Sequence, residues 1–155
     1  MVHFRAAFLI LLAAGTVLTV HAQLPRKLGA PTFYIASRAE YGDDSSKMHV
    51  TGASNLPPGA RLQVEVVDGD SVLNTEAFAT VSQNGFFETV LTPRAGKAFR
   101  HNVVCDITFT PGLSGQPASV LRIVGRDGAH LGFLENPQTY IHSGTYYLEE
   151  SIYVR

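Results

Sequence analysis

Between Asn102 and Thr110, Val103, Cys105, Ile107 and Phe109 alternate with Asn102, Asp106, Thr108 and Thr110. Successive side chains of an extended chain point to opposite faces, so this stretch has one apolar face and one wet face. The same period of two is strict from Arg61 to Val66, where Leu62, Val64 and Val66 oppose Arg61, Gln63 and Glu65. It recurs more loosely in Thr32–Ser37 and Lys47–Thr51. Nothing after Gln23 keeps helical period long enough for a helix of normal length. One wet face means antiparallel sheet, because parallel strands are covered on both sides and need long crossovers that this chain lacks.

Turn chemistry divides the strands. Asp68-Gly69-Asp70 is a tight turn followed by a return strand from Val72 to Val81, and Ser82-Gln83-Asn84-Gly85 carries the Asn-Gly pair that accepts positive φ at both central turn positions. A strand from Phe86 to Leu91 follows, then a break at Pro93–Lys97, the Cys105 strand, a Gly/Pro/Ser loop from Pro111 to Ser119, and a strand from Val120 to Val124. Leu131 to Ser143 reads as irregular, and Tyr146 to Val154 closes the chain as its last strand. The expectation is an all-β, antiparallel sandwich of seven or eight strands. Residues 32–155 form one domain, with no internal repeat and no shift of composition to mark a boundary.

The first 22 residues stand apart. Met1 to Arg5 is a short start with one positive charge, Ala6 to Val20 is almost unbroken apolar sequence, and Val20-His21-Ala22 offers the small-residue pattern that signal peptidase reads. The apolar run falls short of the ~20 residues that span a bilayer, so cleavage after Ala22 is expected rather than retention as an anchor. No integral membrane segment is expected in the mature chain, whose site is secreted or periplasmic. Gln23 to Pro31 would be a short linker or disordered lead. Without Arg5 there remain 11 basic side chains against 13 acidic ones, which argues against the basic stripe that nucleic acid requires. A single Cys cannot form an internal disulfide, so the core must hold the domain. Cys105 shares parity with Val103, Ile107 and Phe109 and is expected to be buried and inert.

The stretch from His49 to Leu91 resembles the opening half of bacterial extracytoplasmic immunoglobulin-like and fibronectin-III-like domains. Val50 and Gly52 match a Val-x-Gly strand end, Asn55, Leu56, Pro57 and Gly59 match an Asn-Leu-Pro-x-Gly corner, and Asn84, Gly85 and Phe87 match an Asn-Gly turn with an aromatic behind it. The second half departs from the pattern, with Arg94-Ala95-Gly96-Lys97 where a Pro-Gly-x-Tyr element would stand. The resemblance implies an immunoglobulin-like sandwich and no reaction. The corner argues similarly by itself: Pro57 and Pro58 fix φ and remove donors, Gly59 lets the chain reverse, and Leu56 would plug the end of the core.

Reactive motifs are poorly represented. His49, His101, His130 and His142 are far apart in sequence, and no HExxH or CxxC occurs. Asp68, Asp70 and Glu76 fail the EF-hand register at Val72 and Ala79, and Asp43-Asp44 lacks a third oxygen donor. Gly112-Leu113-Ser114-Gly115 and His142-Ser143-Gly144 are not nucleophile elbows, and Glu149 and Glu150 on one strand would point to opposite faces. No metal or cofactor is expected. The remaining feature is aromatic: Tyr140, Tyr146, Tyr147 and Tyr153 crowd the C-terminus, either as a ligand surface or, as the absence of Trp favours, as packing at the edge of the core. The reading is therefore a non-catalytic exported module that meets another envelope or extracellular protein or supports structure. The competing readings are a carbohydrate-binding module using those tyrosines and, third, a secreted hydrolase with no recognisable motif.

Intact-mass analysis of the chain expressed with its leader and recovered from the extracytoplasmic fraction is expected to show a species that starts at Gln23. A membrane-bound species retaining Met1 would refute export by cleavage.

Overall fold

The computed structural model describes residues 32–42, 46–132 and 136–155. The expected leader, the 23–31 lead and the Asp43-Asp44 pair lie outside the described residues. In chain order the elements are β1 (Ile35–Tyr41), β2 (Met48–Ser54), β3 (Arg61–Asp68), β4 (Ser71–Val72), β5 (Phe78–Thr80), β6 (Phe86–Leu91), β7 (Val103–Phe109), α1 (Ala118–Val124), β8 (Thr139–His142) and β9 (Thr145–Val154). They form an all-β antiparallel sandwich. One sheet has the order β1-β2-β6, and the other has the order β4-β3-β7-β9-β8 with β5 also paired to β3.

The alternating segments supply the core as their period dictates. Ile35, Met48, Val50, Phe87 and Leu91 from the first sheet meet Leu62, Val64, Val66, Cys105, Ile107, Phe109, Leu148 and Val154 from the second, all buried. Cys105 is fully buried, as its parity requires, and burial first, then the neighbouring Asp106 and Glu150 carboxylates, push its thiol up to about 12. That suppresses the thiolate on which reactivity depends. The Asn-Leu-Pro-Pro-Gly corner holds its expected place. Leu56 is buried, and Gly59, at positive φ, donates its N–H to Val81 O at 2.8 Å. Gly52 is needed for a different reason: a Cβ there would run into the Phe87 ring and Ala36 O.

Four expectations are corrected, three of them at turns and short segments. Val120–Val124 is not a strand but part of α1, following Pro117. Val120 and Val124 lie four apart, so one helical turn buries both while Arg122 and Ile123 face water, and a run this short satisfies strand and helix patterns alike. Second, Leu131–Ser143 is not wholly irregular, since Thr139–His142 is β8, paired to β9 across Ser143 and Gly144. Both turn residues have positive φ, 50° and 79°, the geometry of a two-residue primed hairpin turn. The string that failed as a nucleophile elbow is this turn. Third, at the Ser82–Gly85 turn only Gly85 has positive φ, at 80°, and the strands on either side belong to different sheets. Gly85 N–H donates to Ser82 O at 3.0 Å and Ser54 N–H donates to Gly85 O at 2.8 Å, so this turn carries the chain from one sheet to the other instead of closing a hairpin.

The return strand expected from Val72 to Val81 is also divided, into β4 and β5, around the fully buried Asn74. Its Oδ1 accepts from Val66 N–H at 2.7 Å, and its Nδ2 donates to Val64 O at 3.0 Å and Thr75 O at 2.7 Å. An amide side chain thus completes the β3 ladder where the neighbouring backbone turns away. Asn74→Ala is expected to cost at least about 2 kcal/mol, because it strands a buried donor and acceptor of β3. Urea unfolding checks this, and a midpoint equal to that of the wild type would refute the role given to Asn74.

Candidate functional site

Side chains at odd positions of β9 point out of the sandwich and those at even positions point in. Leu148 and Val154 are buried, and Tyr146 and Ile152 pack against the core. The four C-terminal tyrosines therefore divide. Tyr146 takes the packing role. Tyr140 on β8 and Tyr147 on β9 are cross-strand partners whose rings stack at 5.6 Å and 25° on the outer face, with Tyr140 45% exposed. Tyr153 stands 74% exposed beside Val104, six residues further along β9, which is about 20 Å away at strand rise. Core packing as the role of Tyr147 and Tyr153 is thus corrected. Their shared parity holds, but the first sheet covers the other face. Nor do the four rings form one platform, since Glu149 and Ser151 separate the stack from Tyr153, with Ser151 Oγ donating to Asp106 at 2.6 Å.

Glu149 and Glu150 point to opposite faces. Glu149 lies outward across from Thr108, and its carboxyl is pushed up by partial burial and by Asp106. Glu150 points between the sheets, where its carboxylate accepts from the Ser37 hydroxyl at 2.5 Å and from the Ser37 backbone N–H. It belongs to a row of borrowed groups along β1. Gln138 Oε1 accepts from Ile35 N–H at 3.0 Å while its Nε2 donates to Ile35 O at 2.7 Å, and Asn136 Nδ2 donates to Phe33 O at 2.5 Å. Three side chains from the β8–β9 region occupy the place of a neighbouring strand.

The histidines remain scattered. His49 is exposed on β2, His101 meets Tyr41 edge to face at 5.5 Å, His130 Nδ1 lies 2.8 Å from Ile123 O, and His142 is on β8. Among the described residues no group of three or more His, Cys, Asp or Glu side chains is placed to hold a metal. Asp68 and Asp70 flank Gly69 in the turn from β3 to β4.

A surface the tyrosines did not indicate lies on the outer face of the three-stranded sheet where it adjoins β5. A broad, open depression is lined by Ala36, Ala53, Phe78, Thr80, Phe86 and Glu88. Phe86 is 64% exposed and Val90 48% exposed, both on β6 at the edge of the three-stranded sheet. The signal was the doublet Phe86-Phe87, since a strand buries only one of two successive side chains. No protein-family model, curated protein or solved structure matches this chain.

Burial raises the Glu150 carboxyl above its ordinary range more than its hydrogen bonds to Ser37 lower it. A carboxyl raised on folding binds its proton more tightly in the native state, so its contribution to stability is present at low pH and falls as pH rises through the folded value. Glu150→Gln retains an acceptor for Ser37 without a buried charge. Its melting temperature is expected to exceed that of the wild type at pH 7, the gap closing toward pH 4. A variant less stable than the wild type at pH 7 would refute this sign.

Proposed function

We propose that this chain is an exported, non-catalytic β-sandwich module that binds another envelope or extracellular protein. The supporting observation is the separation of concavity from perturbed chemistry. The titratable groups whose protonation is displaced, Tyr41, Cys105, Tyr147, Glu149 and Glu150, owe it first to burial and do not line the depression, where the exposed Phe86 ring stands among Ala36, Ala53, Arg38, Thr51 and Glu88. Active-site clefts commonly gather the groups whose pKa values are displaced. Exposed aromatic surface of this kind suits a protein partner. The immunoglobulin-like reading of the fold draws support from the strand order. A sheet β1-β2-β6 facing β3-β7-β9 places the first, second and sixth strands opposite the third, seventh and last, an arrangement found when Greek-key connections join two sheets.

A second reading, carbohydrate binding, is favoured by one observation, the stacked Tyr140 and Tyr147 with Glu149 beside them on the outer face. The two readings separate in one experiment. The chain from Gln23, immobilised and exposed to an envelope extract, is expected to retain one protein saturably, identified by mass spectrometry, and to show no retention on insoluble polysaccharide. Polysaccharide retention that disappears in Tyr140→Ala/Tyr147→Ala while the melting temperature is unchanged would replace the protein reading with the sugar one.

A further inference from the structure

Side chains on the outer face of the larger sheet line up in rows across its strands. Val72, Val67, Val104 and Tyr153 are successive cross-strand neighbours and form an apolar row. Glu65, Asp106 and Ser151 make the next row, and Gln63, Thr108 and Glu149 the one after it. Tyr147, stacked on Tyr140, follows. Rows lie two residues apart, about 7 Å at strand rise. None of these side chains is buried, so the face presents two aromatic margins with three carboxylates between them.

The three carboxylates oppose one another. Glu65 stands directly across from Asp106, and like charges in that position destabilise a sheet. Burial first and then Asp106 push the Glu149 carboxyl up. Glu65 and Asp106 receive hydrogen bonds from neutral groups, Gln63 Nε2 at 2.9 Å and Ser151 Oγ at 2.6 Å. The arginines that border the face are engaged elsewhere. Arg61 lies over the Phe78 ring at 4.3 Å and donates Nη1 to Ser114 O at 2.7 Å. Arg94 shares a hollow with Glu65 and Glu76, yet donates Nε to Asn74 O at 2.6 Å. Among the described residues none of the three carboxylates joins an ion pair, while Arg38 and Glu40 form one on the other sheet.

We propose that this outer face docks an extended, arginine- or lysine-bearing segment of a partner protein, whose cations sit on the Glu65–Asp106 and Glu149 rows between the two tyrosine margins. The proposal deepens the protein-binding reading and rests on it. Charge complementarity selects the occupant: a cation placed here relieves the repulsion between Glu65 and Asp106 as well as meeting their charge. The spacing selects an extended chain, because alternate side chains of such a chain lie about 7 Å apart, the distance between the rows. The margins select guanidinium or ammonium groups, which are attracted to the faces of tyrosine rings such as Tyr147 and Tyr153. The row of Val72, Val67 and Val104 offers apolar contact to the stems of those side chains.

The test titrates the protein recovered from expression with its leader against a blocked synthetic peptide, Thr-Arg-Thr-Arg-Thr, while amide chemical shifts are recorded. Saturable shifts centred on Asp106, Glu149 and Ser151 are expected, weaker in raised salt and absent with Thr-Gln-Thr-Gln-Thr. The variant Glu65→Gln/Asp106→Asn/Glu149→Gln keeps an acceptor for Gln63 and for Ser151 and removes the opposed charges. It should lose at least about tenfold in affinity, with a melting temperature no lower than that of the wild type. If this variant does not fold, Asp106→Asn alone decides by a weakening of at least about threefold. Equal binding of the glutamine peptide, undiminished binding by the variant, absence of shifts, or shifts centred on Phe86 and Glu88 overturns the proposal. A protein captured from the envelope extract and held equally well by the neutralised variant would leave the module reading intact and remove this proposal alone.

Discussion

The first sheet has only three strands, and its outer strand β1 would expose an unpaired backbone edge along the seam of the sandwich. Asn136, Gln138 and Glu150 meet that edge with side-chain groups where a fourth strand would stand. An unpaired, partly buried backbone group costs about as much as a lost hydrogen bond, so a sandwich of this size needs such a closure. The requirement also explains Glu150. A carboxylate aimed between two sheets is unfavourable by itself, and it persists here because Ser37 offers it both a hydroxyl and a backbone N–H. The closure comes from the segment around β8, far away in sequence, so the first sheet is secured only when the last hairpin has formed.

Asn74 follows the same logic on the other side of the molecule, where its amide completes the β3 ladder between β4 and β5. Gln116 does so at the corner, accepting from Arg61 N–H at 3.0 Å and donating to Arg61 O at 2.8 Å ahead of α1. No buried side-chain nitrogen or oxygen among the described residues lacks a hydrogen-bond partner.

Local pattern carried far where burial is one-sided and periodic. Leu62, Val64, Val66, Cys105, Ile107 and Phe109 are buried because alternation leaves a strand no other way to hide them, and Leu56 plugs the corner because two prolines and a glycine leave the chain few other conformations. It failed where a residue's partner is remote. Val120 to Val124 became helical because that conformation lays Val120 and Val124 against the core, a contact invisible in five residues. The tyrosine surface was half legible. The shared parity of Tyr147 and Tyr153 was correct and their side of the sheet was not.

The strictly alternating strands, the Gly59 and Gly85 turn positions, the buried thiol and the opposed directions of Glu149 and Glu150 follow from the sequence alone, because each depends on the two-residue pleat or on the φ preferences of Gly and Pro. Which face of β9 meets the core and which backbone groups are met by borrowed side chains were decided by tertiary structure. Those depend on which strands stack across the sandwich and which distant amides reach a given backbone. No local period encodes the contact of Gln138 with Ile35, 103 residues apart.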